Sequence, residues 1–143
     1  MFLGEYSHSL DSKGRVVMPS KFREDLEAGC VVTKGQERCL YVFSKDRWDD
    51  EAEAVMKLPR TDRRARDYTR SFFGSASQQE LDGSGRCSIP EPLRQYAGLS
   101  KDVTVVGVAD HVEIWDTGTW HDVAAVADDY FADIQEVLSG ETP

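Results

Sequence analysis

The chain of 143 residues has no long hydrophobic run: its longest apolar stretch, Val103 to Val108 with Thr and Gly inside it, falls far short of a bilayer span. About 18 apolar residues are needed to cross a membrane as a helix, so no membrane partner is expected. Cysteine is scarce as well. Cys30, Cys39 and Cys87 are odd in number and lack C-x-x-C spacing, and His8, His111 and His121 do not cluster with them. These thiols read as buried or idle, the histidines as surface or packed residues, and no metal site is expected. Met1-Phe2-Leu3-Gly4-Glu5 has neither a basic leader nor a continuous apolar segment, so a cytoplasmic location is expected. G-x-S-x-G, P-loop, H-E-x-x-H and dinucleotide fingerprints are all missing, which leaves no cofactor and no enzyme to argue for.

Positive charge is also in deficit, with 17 Lys and Arg against 26 Asp and Glu, a net charge of −9. Such a total argues against indiscriminate nucleic-acid binding, but the charge is uneven. His121 to Pro143 holds six acids (Asp122, Asp128, Asp129, Asp133, Glu136, Glu141) and no Lys or Arg. Met1 to Arg23, by contrast, is net positive through Lys13, Arg15, Lys21 and Arg23.

What is present is a repeat. Leu10-Asp11-Ser12-Lys13-Gly14-Arg15-Val16-Val17-Met18-Pro19 aligns with Leu81-Asp82-Gly83-Ser84-Gly85-Arg86-Cys87-Ser88-Ile89-Pro90 at an offset of 71. Leu40-Tyr41-Val42-Phe43 with Trp48 aligns with Val112-Glu113-Ile114-Trp115 with Trp120 at an offset of 72, one loop residue longer. Each copy predicts a short strand, a tight turn closed by Gly14 or Gly85, a second strand, and a short helix opened by Pro19 or Pro90. The helices are expected over Ser20 to Ala28 and Glu91 to Ala97. Two further strands follow, near Cys30 to Lys34 and Cys39 to Phe43, and near Val103 to Val108 and Val112 to Trp115.

Helices are predicted after each copy. Ser44 caps one that carries Trp48, Ala52, Val55 and Met56 and ends by Pro59; Thr61 caps another with Ala65, Tyr68 and Phe72. A last helix has an apolar stripe of Trp120, Val123, Ala124, Ala127, Phe131, Ile134 and Leu138, expected to pack on the body or on a neighbouring subunit. A β-rich unit of about 45 residues is too small to close a stable core alone, so two copies should share one as an intramolecular pseudo-dimer. The expected organisation is repeat one over 1–48, a helical linker over 49–74, repeat two over 75–118 and an acidic helix and tail over 119–143.

Chemistry points to Asp11-x-x-x-Arg15 and Asp82-x-x-x-Arg86. At a turn, Asp accepts hydrogen bonds from nearby N–H groups or pairs with the Arg. The Arg, with its planar and permanently charged fork, suits phosphate oxygens and guanine edges. Lys13 adds a charge in the first copy only, where Ser84 stands in the second. Arg60, Arg63, Arg64, Arg66 and Arg70 alternate with Asp62 and Asp67 and read as a solvated helix face.

The opening Met1-Phe2-Leu3-Gly4-Glu5-Tyr6 and the run Leu10-Asp11-x-Lys13-Gly14-Arg15-Val16-x-x-Pro19-x-Lys21-Phe22-Arg23 closely resemble the bacterial MraZ family. Asp82-x-x-Gly85-Arg86 with Pro90 and Leu93-Arg94 is similar to that family's second repeat, as Val112-Glu113-Ile114-Trp115 is to its strand ending. The resemblance implies an α+β, β-rich fold of two tandem AbrB-like swapped-hairpin β-barrel repeats with flanking helices. It also implies a nucleoid-associated transcriptional repressor of the division and cell-wall gene cluster, its own promoter included. Such a protein binds short direct repeats in double-stranded DNA as an octameric or similar ring. Arg15, Arg86 and Lys13 would then contact DNA, with Asp11 and Asp82 orienting the arginines. The alternatives are an antitoxin-like or scaffold module that binds a protein through its helices, and an enzyme using Asp11 or Asp82. An adjacent Arg depresses a carboxylate's pKa and makes the latter a poor acid.

Overall fold

A computed structural model describes residues 1–134. The first copy forms β1 (Phe2–Ser9), β2 (Arg15–Val17), α1 (Ser20–Leu26), β3 (Cys30–Lys34) and β4 (Leu40–Ser44), followed by α2 (Lys45–Met56) and α3 (Arg63–Gly74). The second repeats the order as β5 (Ser77–Gln79), β6 (Arg86–Ser88), α4 (Glu91–Tyr96), β7 (Asp102–Ala109) and β8 (His111–Asp116), followed by α5 (Thr117–Asp133). The architecture is α+β with antiparallel pairing throughout the described strands.

The copies trade strands. The main sheet has the order β1-β7-β8-β4-β3-β5, so β1 of copy one lies on β7 of copy two, and β5 of copy two lies on β3 of copy one. β1 pairs over its full length, from Phe2↔Ala109 to Ser9↔Asp102, whereas β5 contributes three pairs. Equivalent strands β4 and β8 meet at the centre, with Val42 opposite Val112. β2 and β6 form a separate ribbon with Val16 opposite Cys87.

Alternation along the strands divides the side chains between two layers. On one face Val32, Leu40, Val42, Val103, Val105, Val112 and Ile114 pack with Val16 and Cys87 of the ribbon and with Phe22, Leu26 and Leu93 of α1 and α4. This core draws on both copies, as the size argument requires, and each such aliphatic side chain contributes about 2 kcal/mol by leaving water. The opposite face is covered by the longer helices. Phe43 packs with Val55 and Phe72, and Trp48 stacks on Phe72 at 5.3 Å. Further along, Val106 and Trp115 meet Trp120 and Val123 of α5. Thr33, buried on this face, satisfies its hydroxyl by donating to the Phe72 carbonyl at 2.6 Å.

Several boundaries differ from the sequence reading. Ser44 caps α2 by accepting from the Arg47 N–H at 3.3 Å, as expected, but the helix ends at Met56. Asp62, not Thr61, caps α3: its Oδ1 accepts from the Arg64 N–H at 2.8 Å. A carboxylate at this place also answers the positive end of the helix dipole, which a threonine hydroxyl does not. α1 and α4 stop at Leu26 and Tyr96. The stripe on α5 is only half covered, because Tyr130 and Phe131 are exposed; Leu138, Glu136 and Glu141 lie outside the described residues. All three cysteines are buried and free. Among the described residues no helix is long and apolar enough to cross a membrane.

Candidate nucleic-acid interface

Each duplicated turn is built around its Asp. Oδ1 of Asp11 accepts the backbone N–H of Lys13 at 2.9 Å and of Arg15 at 2.8 Å, and Oδ2 accepts the Arg15 Nε–H at 2.8 Å. Asp82 does the same for Ser84 at 3.0 Å, Arg86 at 2.9 Å and the Arg86 Nε–H at 2.7 Å. One carboxylate oxygen shapes the turn and the other aims the guanidinium, so both readings of the Asp hold at once. The Gly14 and Gly85 N–H groups close the turns onto the Asp11 and Asp82 carbonyls, with φ of +75° and +76°. That left-handed conformation favours glycine.

These bonds fix the charge state. The Arg15 backbone N–H above all, then its side chain and the Lys13 N–H, hold the Asp11 carboxyl below the usual carboxylate range. Arg86 and Ser84 do the same for Asp82. A carboxyl held low is ionised at neutral pH and serves poorly as a general acid. Each Arg spends only Nε on its Asp, leaving the Nη donors for another acceptor.

The strand exchange brings the two turns together. Arg15 Nη1 lies 3.9 Å from Asp82 Oδ2 of the other copy. The Met18 N–H donates to the Gly85 carbonyl and the Ile89 N–H to the Gly14 carbonyl, each at 2.8 Å, so each copy's strand end anchors the other's turn. Lys13, Arg15, Arg86, Asp11 and Asp82 therefore form one site.

Two further cations belong to it. Arg23 on α1 donates from Nε to the Met18 carbonyl at 3.0 Å, and Arg94 on α4 donates from Nη1 to the Ile89 carbonyl. Their guanidiniums lie across the opposite turns. A Cβ built on Gly14 would come within 2.1 Å of Arg94, and one on Gly85 within 2.3 Å of Arg23. The signal for them was in the repeat: Arg23 and Arg94 are related by the same offset of 71 as Arg15 and Arg86. The two Asp–Arg pairs cancel in charge, so Arg23, Arg94 and Lys13 make the site net positive.

The arginines of α3 are elsewhere, on the sheet face opposite the ribbon, and pair within their own segment. Arg63 reaches Asp67 at 3.9 Å, Arg64 reaches Asp62 at 3.8 Å and Arg70 reaches Asp67 at 3.4 Å. This is the solvated face that the sequence pattern predicts.

Fold and site together define a tandem-repeat α+β protein in which two copies of one unit share a core and present twinned acid–arginine turns. The family model described as "MraZ protein, putative antitoxin-like" matches residues 1–71 and again 72–138. The chain belongs to the MraZ family, with two tandem copies of its domain.

Proposed function

We propose that this chain is a sequence-specific DNA-binding transcriptional regulator. In this reading it represses the bacterial division and cell-wall gene cluster, its own promoter included, and acts in the cytoplasm at the nucleoid as an octameric or similar ring on short direct repeats. The reciprocal pairing of β1 with β7 and β5 with β3 supports reading each copy as an AbrB-like swapped-hairpin barrel.

One observation carries the reading: two arginines, each aimed by its own Asp, stand at the two ends of one ribbon, with Arg23 and Arg94 lying against the opposite copy's turn. Arginine forks held in a fixed direction suit guanine O6 and N7 or adjacent phosphates. A single pair of turns binds weakly, but a ring that sets many pairs against repeated sites gains avidity through effective concentration.

The test is fluorescence anisotropy against the DNA upstream of the chain's own gene and a scrambled duplex, across a salt series. Loss of an Arg that reads a base costs about 1–3 kcal/mol and erases the preference for the upstream duplex. Loss of one that holds phosphate weakens both duplexes and flattens the salt slope by about 1 per contact. Equal binding of both duplexes by the wild type, or full binding by Arg15→Ala and Arg86→Ala together, refutes the proposal. Either result favours the alternative, an antitoxin-like or scaffold module that binds a protein partner through its helices.

A further inference from the structure

The two turns are alike in sequence and unequal in surroundings. Arg86 donates its Nε–H to Asp82 at 2.7 Å and, among the described residues, meets no second carboxylate. Both of its Nη groups are therefore left for an outside acceptor. Arg15 donates its Nε–H to Asp11 at 2.8 Å, but its Nη1 also faces Asp82 Oδ2 at 3.9 Å. Asp82 thus serves both arginines, and Asp11 serves one. The Arg15 side chain is also the less exposed of the two, 24% against 34%.

The charges beside the turns are unequal in the same sense. Lys13 is exposed, and among the described residues its ammonium pairs with no acid. Its counterpart in the second copy, Ser84, is neutral. These differences divide the labour. Guanine is told from the other bases by paired donors that meet O6 and N7 together, so both donors must be free and aimed the same way. Arg86 meets that requirement. Arg15 has one Nη facing Asp82 and one left over, which suffices for a single phosphate oxygen. A phosphate contact positions the protein through charge and reads no sequence, and Lys13 places a second cation beside Arg15.

We propose that Arg86 reads a guanine edge while Arg15 and Lys13 hold neighbouring phosphates. The inference rests on the DNA-binding reading above and assigns the roles within it. Two equal turns about a pseudo-two-fold axis would suit an inverted repeat, since the symmetry of a DNA site mirrors that of its protein. Unequal turns suit an element with a direction, as a direct repeat is.

Fluorescence anisotropy on the full chain, with the upstream and scrambled duplexes across a salt series, tests the division. Arg86→Ala and Arg15→Ala each remove one charge and one Nε–H bond to their own Asp, so the difference between them reports the roles. Arg86→Ala is expected to lower the preference for the upstream duplex about 10-fold or more. Arg15→Ala and Lys13→Ala should each keep that preference, weaken both duplexes alike and flatten the salt slope by about 1. A further arm puts 7-deazaguanine in place of guanine in the upstream duplex, which removes N7. This should weaken wild type and leave Arg86→Ala unaffected. The assignment is overturned, with DNA binding still standing, by a preference lost in Arg15→Ala or kept in Arg86→Ala, by an unchanged salt slope in Lys13→Ala, or by a wild type indifferent to 7-deazaguanine. A wild type that binds both duplexes equally overturns the DNA-binding reading and the assignment together.

Discussion

Gly14→Ala probes whether the guanidinium of one copy locks the turn of the other. Gly14 has φ +75°, where an L side chain costs about 1 kcal/mol, and its new Cβ would meet Arg94 Nη1 at 2.1 Å. Arg94 must then leave the Ile89 carbonyl, a half-exposed charge-assisted bond that contributes about 1 kcal/mol. The sum, about 2 kcal/mol, lowers the melting temperature of a chain this size by about 6–8 °C. Gly98→Ala separates the two costs: φ is +59° there but nothing lies within 4 Å of the new Cβ, so the drop should be about 3–4 °C. Gly74→Ala, with neither positive φ nor neighbour, ends α3 and should be neutral or stabilise by about 0.5 kcal/mol. Melting followed by circular dichroism gives all three. Adding Arg94→Ala to Gly14→Ala should cost less than the two changes made separately, by about 1 kcal/mol. Equal losses at Gly14 and Gly98, or strict additivity with Arg94→Ala, would refute the cross-copy lock.

Asp82→Asn sets orientation against simple charge. Removing an acid beside a cationic site should tighten DNA binding if net charge governs, whereas the amide turns a donor or a weaker acceptor toward the Arg86 Nε–H and loosens its aim. The expected anisotropy result is weaker and less selective binding; tighter binding would refute the orienting role. His111 sits between Asp110 at 2.8 Å and Glu113 at 3.0 Å, and Asp110 also pairs with Arg47 of α2 at 3.0 Å. Burial pushes the imidazole down, but its bonds to Glu113 and Asp110 outweigh this and raise it above its ordinary value of 6.5. A raised histidine stabilises fully below 6.5 and loses that contribution as pH climbs through its folded value. Wild type should therefore lose more melting temperature than His111→Gln between pH ~6 and ~8.5, and parallel pH profiles would refute the pairing.

How much of this was legible in the sequence depended on range. The turns were, because the hydrogen bonds that the Asp11 carboxylate makes to Lys13 and Arg15 all lie within five residues, and the duplication doubled the signal. The shared core followed from size alone. Strand partners did not follow, since alternation marks β1 as a strand without saying that it will lie on β7, about a hundred residues later. Arg23 and Arg94 were missed for the same reason: each covers a turn of the opposite copy, a contact that exists only once the strands are exchanged. The stripe on α5 was read correctly as apolar, but periodicity cannot say how far the sheet extends beneath a helix. At α3, Thr61 and Asp62 are both competent caps, and a one-residue choice between them lies within what local pattern resolves.

A chain with net charge −9 can present a cationic site because its sheet stands between that site and the acids of α5. The acids of α5 lie over the face that holds Val106 and Trp115, while the ribbon with Arg15 and Arg86 packs against the other face through Val16 and Cys87. Packed layers stand about 10 Å apart, so one sheet and one core layer put about 20 Å between α5 and the turns. At physiological ionic strength the Debye length is about 8 Å, and repulsion from the α5 acids toward a phosphate at the turns is largely screened over that span. The nearer groups are Asp11 and Asp82, whose charges are already matched by Arg15 and Arg86 at 2.8 and 2.7 Å. What a phosphate would meet at this ribbon is therefore the local excess contributed by Lys13, Arg23 and Arg94. The whole-chain sum describes the solubility of the molecule, and the seven charges around two turns describe its site.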